Sequence, residues 1–273
     1  MADETGQPVA GVQVKLDWSV DTGFGYNSKA PAKKHAVSLT SDANGHFSGE
    51  GGVFCDLTAT KDGYYTSTLT VYWELKSESL VIPLKRIRHP QPMVGKQATL
   101  RIPIGNSRLQ YDFVAGDCLP PLGNGVVADL EIEWTRPGVV GDAEATRRAF
   151  DPRVIGVGNG AIPPTKLPIL QVHSSLSSLH EAPPEGYEPD CNFDDIMHTA
   201  VSDVVYIKIR SGQPGGPFFG KMYGPIRYDS SNDFDWFHFV YVVNPSGGRG
   251  LEMDMKRLTV PAKHGLEYPP HEF

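Results

Sequence analysis

The sequence predicts an all-β fold, a small sandwich followed by a second, larger β-rich region, and three features point to it. Gly 29 and Pro 23 punctuate the 273 residues, a density that suits many turns and few long helices. Apolar residues recur at alternate positions in short runs, the period of a half-buried strand. Between those runs stand turn sequences such as Asp42-Ala43-Asn44-Gly45 and Lys61-Asp62-Gly63, whose short polar side chains fold back on the backbone.

The first element is Pro8 to Trp18, with Val12, Val14, Leu16 and Trp18 on one face. A polar loop, Asp21 to Lys34, ends in a small basic patch of Lys29, Lys33 and Lys34. Ala36 to Thr40 is a short strand that leads into the stretch Thr40 to Tyr65, on which the first region is organised. There His46-Phe47-Ser48 and Phe54 to Ala59 alternate as strands, and Lys61-Asp62-Gly63 is a turn closed by Tyr64 and Tyr65. Ser67 to Trp73 and Leu80 to Ile87 complete about six strands, with Val71, Trp73, Val81 and Leu84 as expected core residues. Greek-key connection of these strands is the expected pattern.

Arg88-His89-Pro90-Gln91-Pro92 reads as a linker stiffened by two prolines, so the expected domains are 1–87 and 88–273. Beyond it, Gln97 to Ile104 and Arg108 to Val114 alternate as strands around a turn at Gly105-Asn106-Ser107. Gly116 to Gly125 is a long loop, and Val126 to Trp134 is a strand with Val127, Leu130 and Ile132 among its apolar positions. Residues 135–200 are the least regular part, with a short helix expected at Gly141 to Phe150 and a strand at Leu167 to Val172. Strands return at Asp203 to Arg210, Phe218 to Tyr228 and Trp236 to Val243.

The residues Gln7-Pro8-Val9-Ala10-Gly11-Val12, Thr40 to Phe47 and Leu57 to Tyr64 together resemble the carboxypeptidase regulatory-like domain, a transthyretin-like sandwich. The resemblance covers residues 1–87. It implies an accessory module in an extracytoplasmic setting, secreted, periplasmic or at the cell surface, and it carries over no catalytic residue. The family's first strand would precede Asp3, which leaves an open sheet edge here and suggests self-assembly by strand addition. The second half resembles a poorly described class of bacterial proteins in which such an extension follows the regulatory-like module, and that resemblance implies no activity.

Net charge is −7, which argues against nucleic acid as the main partner because phosphate binding needs a basic face. No apolar run approaches the roughly 20 residues of a membrane helix, so membrane insertion is not expected. The opening residues Met1 to Gly6 have neither a basic nor an apolar signal region. A removed upstream segment and an unrelated short N-terminus explain them equally. Of Cys55, Cys118 and Cys191, the pair Cys118 and Cys191 is the one to test for a bridge, although three free thiols are the simpler expectation.

Candidate chemistry is sparse. Asp42-Ala43-Asn44-Gly45 lacks the carboxylate ladder of a calcium loop and reads better as a β-turn. Asp112, Asp117, Asn124 and Asp129 would serve a glycoside- or ester-type hydrolase if two carboxylates faced one cleft, but turn-capping explains them more simply. His173, His180, His198, Asp194, Asp195 and Cys191 lack the local spacing of a zinc site. Neither a metal nor a cofactor is expected.

The aromatic set Tyr64, Tyr65, Tyr72, Trp73, Phe218, Phe219, Tyr223, Tyr228, Trp236 and Phe237 includes neighbours that must face opposite sides of a strand. Some of them therefore sit outward or under a loop, to bind a ligand or to cover a domain contact. The ligand-binding residues expected from this are Tyr223, Tyr228, Asp233, Asp235, Trp236 and His238, with His238 and Asp235 as an acid/base pair in the rival reading. The expected role is a non-catalytic binding or structural module for carbohydrate or a partner protein.

Overall fold

The computed structural model describes residues 1–20, 33–52, 54–72, 80–135, 150–156, 158–165, 180–189, 204–230 and 233–262. They are all-β apart from one 3-10 turn at Met255–Arg257. The chain divides into two compact units, Met1–Arg88 and a second that begins at His89.

In the first unit, β1 (Ala2–Asp3) is followed by β2 (Gln13–Val20), β3 (Lys33–Thr40), β4 (Phe54–Thr60), β5 (Ser67–Tyr72) and β6 (Pro83–Leu84). The order β3-β2-β4-β5 forms one antiparallel sheet, and β1 pairs with β6 in parallel. Val12, Val14, Leu16, Cys55, Leu57, Ala59, Ile82 and Leu84 share one core, so the expected alternation along β2 and β4 is what builds it. Met1 packs into the same core, and its ammonium donates to the Gly45 carbonyl at 2.6 Å.

Several expectations for this unit are corrected. Ala2–Asp3, expected to lie in a turn, pairs with β6 as β1, and the turn comes after it, held by the Asp3 carboxylate, which accepts from the backbone N–H groups of Thr5 and Gln7. Lys33 and Lys34 lie in β3 and not in a loop. His46-Phe47-Ser48 has no ladder partner, because Asp42 Oδ1 accepts the N–H groups of Asn44 and His46 and turns the chain away. The Leu80 to Ile87 strand shrinks to β6; Leu84 is buried as expected together with Ile82, whereas Val81, also expected in the core, is 73% exposed. Core roles for Trp73 and the Val71 side chain lie outside what is described.

The second unit contains β7 (Val94–Pro103), β8 (Arg108–Asp112), β9 (Asp117–Cys118), β10 (Leu130–Trp134), β11 (Phe150–Val154), β12 (Gly160–Thr165), β13 (Val204–Ile209), β14 (Phe218–Ser230) and β15 (Phe234–Asn244). They form a four-stranded sheet, β11-β10-β8-β9, and a five-stranded sheet, β12-β13-β14-β15-β7. Ala98, Leu100 and Ile102 of β7, Tyr111 of β8, Ile132 of β10, Ile207 of β13 and Phe237, Phe239 and Tyr241 of β15 meet in one core. This is a β-sandwich. Tyr111 stands edge-on to Phe239 at 5.1 Å, a favoured aromatic geometry at the centre of that core.

Two proline-bearing strands lie at sheet edges, while Pro225 in the interior strand β14 falls at the register shift between Tyr223 and Arg227. Pro152 lies in β11 and Pro163-Pro164 in β12, each at the end of its sheet, where a missing N–H costs no ladder bond. The expected strand from Val126 starts only at Leu130, since the N–H groups of Val126 and Val127 are taken by the Asp112 carboxylate. The helix expected at 141–150 and the strand at 167–172 lie outside the described residues, except that Phe150 opens β11. No helix among the described residues is long and apolar enough to cross a membrane.

Candidate functional site

Strand β15 reads Phe-Asp-Trp-Phe-His-Phe-Val-Tyr, and its pleat sorts these residues strictly by parity. Asp235, Phe237, Phe239 and Tyr241 are buried, whereas Phe234, Trp236, His238 and Val240 on the other face are only partly covered. The neighbouring strand β7 is sorted in the same way. Ala98, Leu100 and Ile102 point into the core, which leaves Gln97, Thr99 and Arg101 on the side of Trp236. Antiparallel register sets Trp236 opposite Arg101, His238 opposite Thr99 and Val240 opposite Gln97.

The outcome is a strip of rings with a cation laid across it. The Trp236 and His238 ring planes are parallel to within 6° with centroids 6.5 Å apart. Arg101 Cζ lies 3.4 Å from the Phe234 ring centroid and 5.6 Å from that of Trp236, so the guanidinium is stacked on Phe234. Thr99 Oγ1 and His238 Nδ1 share a hydrogen bond at 3.2 Å, which fixes the imidazole orientation. Tyr223 stands opposite Val240 on the same face, buried, with the Lys221 ammonium 5.5 Å from its ring centroid.

Of the six expected ligand-binding residues, then, Trp236, His238 and Tyr223 share one sheet face. Asp235 and Tyr228 lie on the other. Tyr228 stacks on Phe237 at 5.1 Å and its hydroxyl donates to Asp235 Oδ1 at 3.1 Å, while Trp134 Nε1 donates to Oδ2 at 3.0 Å. Asp235 is thus a fully buried acceptor for two core aromatics. The expected pairing of His238 with Asp235 does not form, because a separation of three residues along a strand puts the two side chains on opposite faces. Asp233 is exposed just before β15. The residues missed were Arg101, Phe234 and Thr99, although the alternation Gln97-Ala98-Thr99-Leu100-Arg101-Ile102 already marked Arg101 as outward.

The loop carboxylates between Asp112 and Asp129 have a different fate. Arg210 carries the left-handed φ of 57° just after β13, and this turns its side chain onto two aspartates. Its Nη2 donates to Asp112 Oδ1 at 2.5 Å and Asp129 Oδ2 at 2.8 Å, and its Nε donates to Asp129 Oδ1 at 3.1 Å. Asp112 also accepts from the N–H groups of Val114, Ala115, Val126 and Val127. Burial works against its charge, but those N–H donors with Arg210 outweigh it and hold the carboxyl below its ordinary value. Asp129, 0% exposed, is pushed up, since burial there outweighs Arg210 and the Phe113 N–H. Asp117 accepts the N–H groups of Cys118 and Asn124. These carboxylates are committed to donors of the fold itself.

His180 lies 3.9 Å from the buried Glu252, which accepts the His89 N–H. His173, His198, Asp194, Asp195 and Cys191 are outside the described residues. Among the described residues, no group of three or more His, Cys, Asp or Glu side chains is placed to hold a metal ion. Cys55 and Cys118 are buried, and burial, then Asp56 and Asp17, pushes the Cys55 thiol up.

Compared with family models, curated proteins and solved structures, the chain matches none. What fold and site define together is therefore a class: an all-β protein of two units, the second a sandwich with an aromatic strip on one outer face.

Proposed function

We propose that the protein is a non-catalytic binding module whose second unit holds a carbohydrate on the outer face of its five-stranded sheet. The observation that carries this is the partly covered strip of Phe234, Trp236 and His238, with Arg101 and Thr99 beside it on β7. A sugar ring has an apolar face that packs on aromatic rings and a rim of hydroxyls that need donors and acceptors, and this strip offers both kinds of surface in one plane. The commitment of Asp112, Asp117, Asp129 and Asp235 to internal donors supports binding over hydrolysis. The first unit we read as a transthyretin-like regulatory-like module, an accessory to the second, and the setting as extracytoplasmic.

Isothermal titration of the full chain against a panel of polysaccharides tests the proposal. Heat is expected for at least one member of the panel, and Trp236→Ala is expected to weaken that binding at least tenfold, the loss of about 1.4 kcal/mol of ring contact. A silent panel, or binding indifferent to Trp236, would overturn it.

A further inference from the structure

We infer that two copies of this chain join edge to edge through β3, antiparallel and two-fold symmetric, so that the four-stranded sheet of the first unit continues into that of its partner. Strand β3 is the outermost strand of its sheet, in the order β3-β2-β4-β5. Just beyond it the Ser41 N–H donates to the Val12 carbonyl at 3.0 Å, which fixes the residues that bond to β2. Ladder bonds recur at every second residue. Lys33, His35, Val37 and Leu39 therefore turn their backbone groups to β2, and Lys34, Ala36, Ser38 and Thr40 turn theirs outward. The outward four are all exposed, and their N–H and C=O groups meet no backbone partner among the described residues. The edge has no proline, unlike β11 and β12, and its register with β2 runs unbroken from Gln13 opposite Thr40 to Val20 opposite Lys33.

The sequence of β3, Lys-Lys-His-Ala-Val-Ser-Leu-Thr, selects a second copy as the occupant. A two-fold axis at Val37 sets Lys34 opposite the partner's Thr40 and Ala36 opposite the partner's Ser38, and in that register every outward N–H and C=O finds its counterpart. Val37 then faces its own twin at a non-hydrogen-bonded site, where side chains come closest and β-branched pairs pack well. On that face His35, Val37 and Leu39 are only partly covered, so the joint also takes apolar surface out of water. Charge favours the same direction. Lys33 and Lys34 come to the end of the partner strand at which Asp42 stands exposed, its carboxyl held below the ordinary value by the His46 and Asn44 N–H groups. A parallel pairing would instead set the lysines of one copy against those of the other. One strand's width makes a small joint, below the roughly 1,200 Å² of a standard interface, so monomer and dimer are expected in exchange.

Sedimentation of the full chain from low to high micromolar concentration is the first test, and a monomer giving way to a dimer is expected. Ser38→Pro deletes an outward N–H that β2 does not use, so it leaves the monomer's ladder whole and takes one bond from each copy. Dimerisation should weaken about tenfold or more, with melting of the dilute chain little changed. Val37→Cys tests the register, since twins at a non-hydrogen-bonded site have Cα atoms about 4.5 Å apart, within disulfide reach. Thr40→Cys is its control, because the antiparallel register places Thr40 six residues, roughly 20 Å, from its own twin. Under mild oxidation, beside the unmodified chain, Val37→Cys is expected to give a covalent dimer and Thr40→Cys is not. A chain that stays monomeric at every concentration overturns the joint. A dimer undiminished in folded Ser38→Pro overturns its placement at β3; should that variant misfold, the cross-link decides in its place. No cross-link from Val37→Cys, or an equal one from Thr40→Cys, overturns the antiparallel register.

Discussion

Arg210 shows how one side chain can settle the fate of two others. With 13% of its side chain exposed, it supplies the positive charge for Asp112 and Asp129, both of which are almost wholly out of water. Replacing it by alanine leaves two buried carboxylates without their cation, and a loss of about 3–5 kcal/mol in urea unfolding is expected. The two aspartates titrate in opposite senses. Asp112, held below the ordinary carboxylate value of 3.8, contributes stability above that pH and loses it as the pH falls through its lowered value. Asp129, pushed above 3.8, contributes stability below that pH and loses it as the pH rises through its raised value. The stability gap between the unmodified chain and Asp112→Asn should therefore narrow from about pH 7 to about pH 3, and that for Asp129→Asn should widen. Gaps that move together in urea unfolding at the two pH values would refute the assignment.

Strand β15 carries two sets of residues on one backbone, and substitutions along it should separate cleanly. Phe237→Ala opens the core against Trp134 and Tyr228 and is expected to cost about 3–5 kcal/mol, whereas Trp236→Ala should lower the melting temperature less and weaken binding at least tenfold. The same strand is approached closely by β7. At Gly95 an added Cβ would collide with the Tyr241 carbonyl oxygen and come within 2.9 Å of Val242 Cα, so Gly95→Ala should destabilise by about 1–3 kcal/mol. Differential scanning of the three variants checks all of this.

Strands of this kind were the readable part of the sequence, because alternation is a local signal: β2, β4 and β15 stand where Val14, Leu57 and Phe237 alternate with polar or less buried neighbours. What a single strand cannot show is which of its faces meets the core. That is fixed by the partner strand, and for this reason Asp235 and His238 looked like a pair and are not. Arg210 with Asp112 and Asp129 was equally hidden, since residues about a hundred positions apart are joined by a left-handed residue that no pattern marks.

At the scale of the molecule, each unit has its own buried cluster, one around Leu57 and the other around Phe239. Two cores of that kind should melt as two transitions in calorimetry of the full chain. Leu57→Ala is expected to lower one of them and Phe239→Ala the other, and a single transition that both substitutions shift alike would contradict separate cooperative units. The pairing of nine strands into two sheets was not legible in the sequence, because it depends on contacts between segments far apart along the chain.

The pleat of β7 and β15 has an evolutionary corollary. Positions 101, 234 and 236 stand outside the core built by Leu100, Ile102, Phe237 and Phe239, since every second residue is answerable to a different constraint, whereas Thr99 is buried beside them. A lineage carrying this scaffold can change what it recognises at those three positions at less thermodynamic risk than in the core, and a laboratory library confined to them would inherit the same freedom.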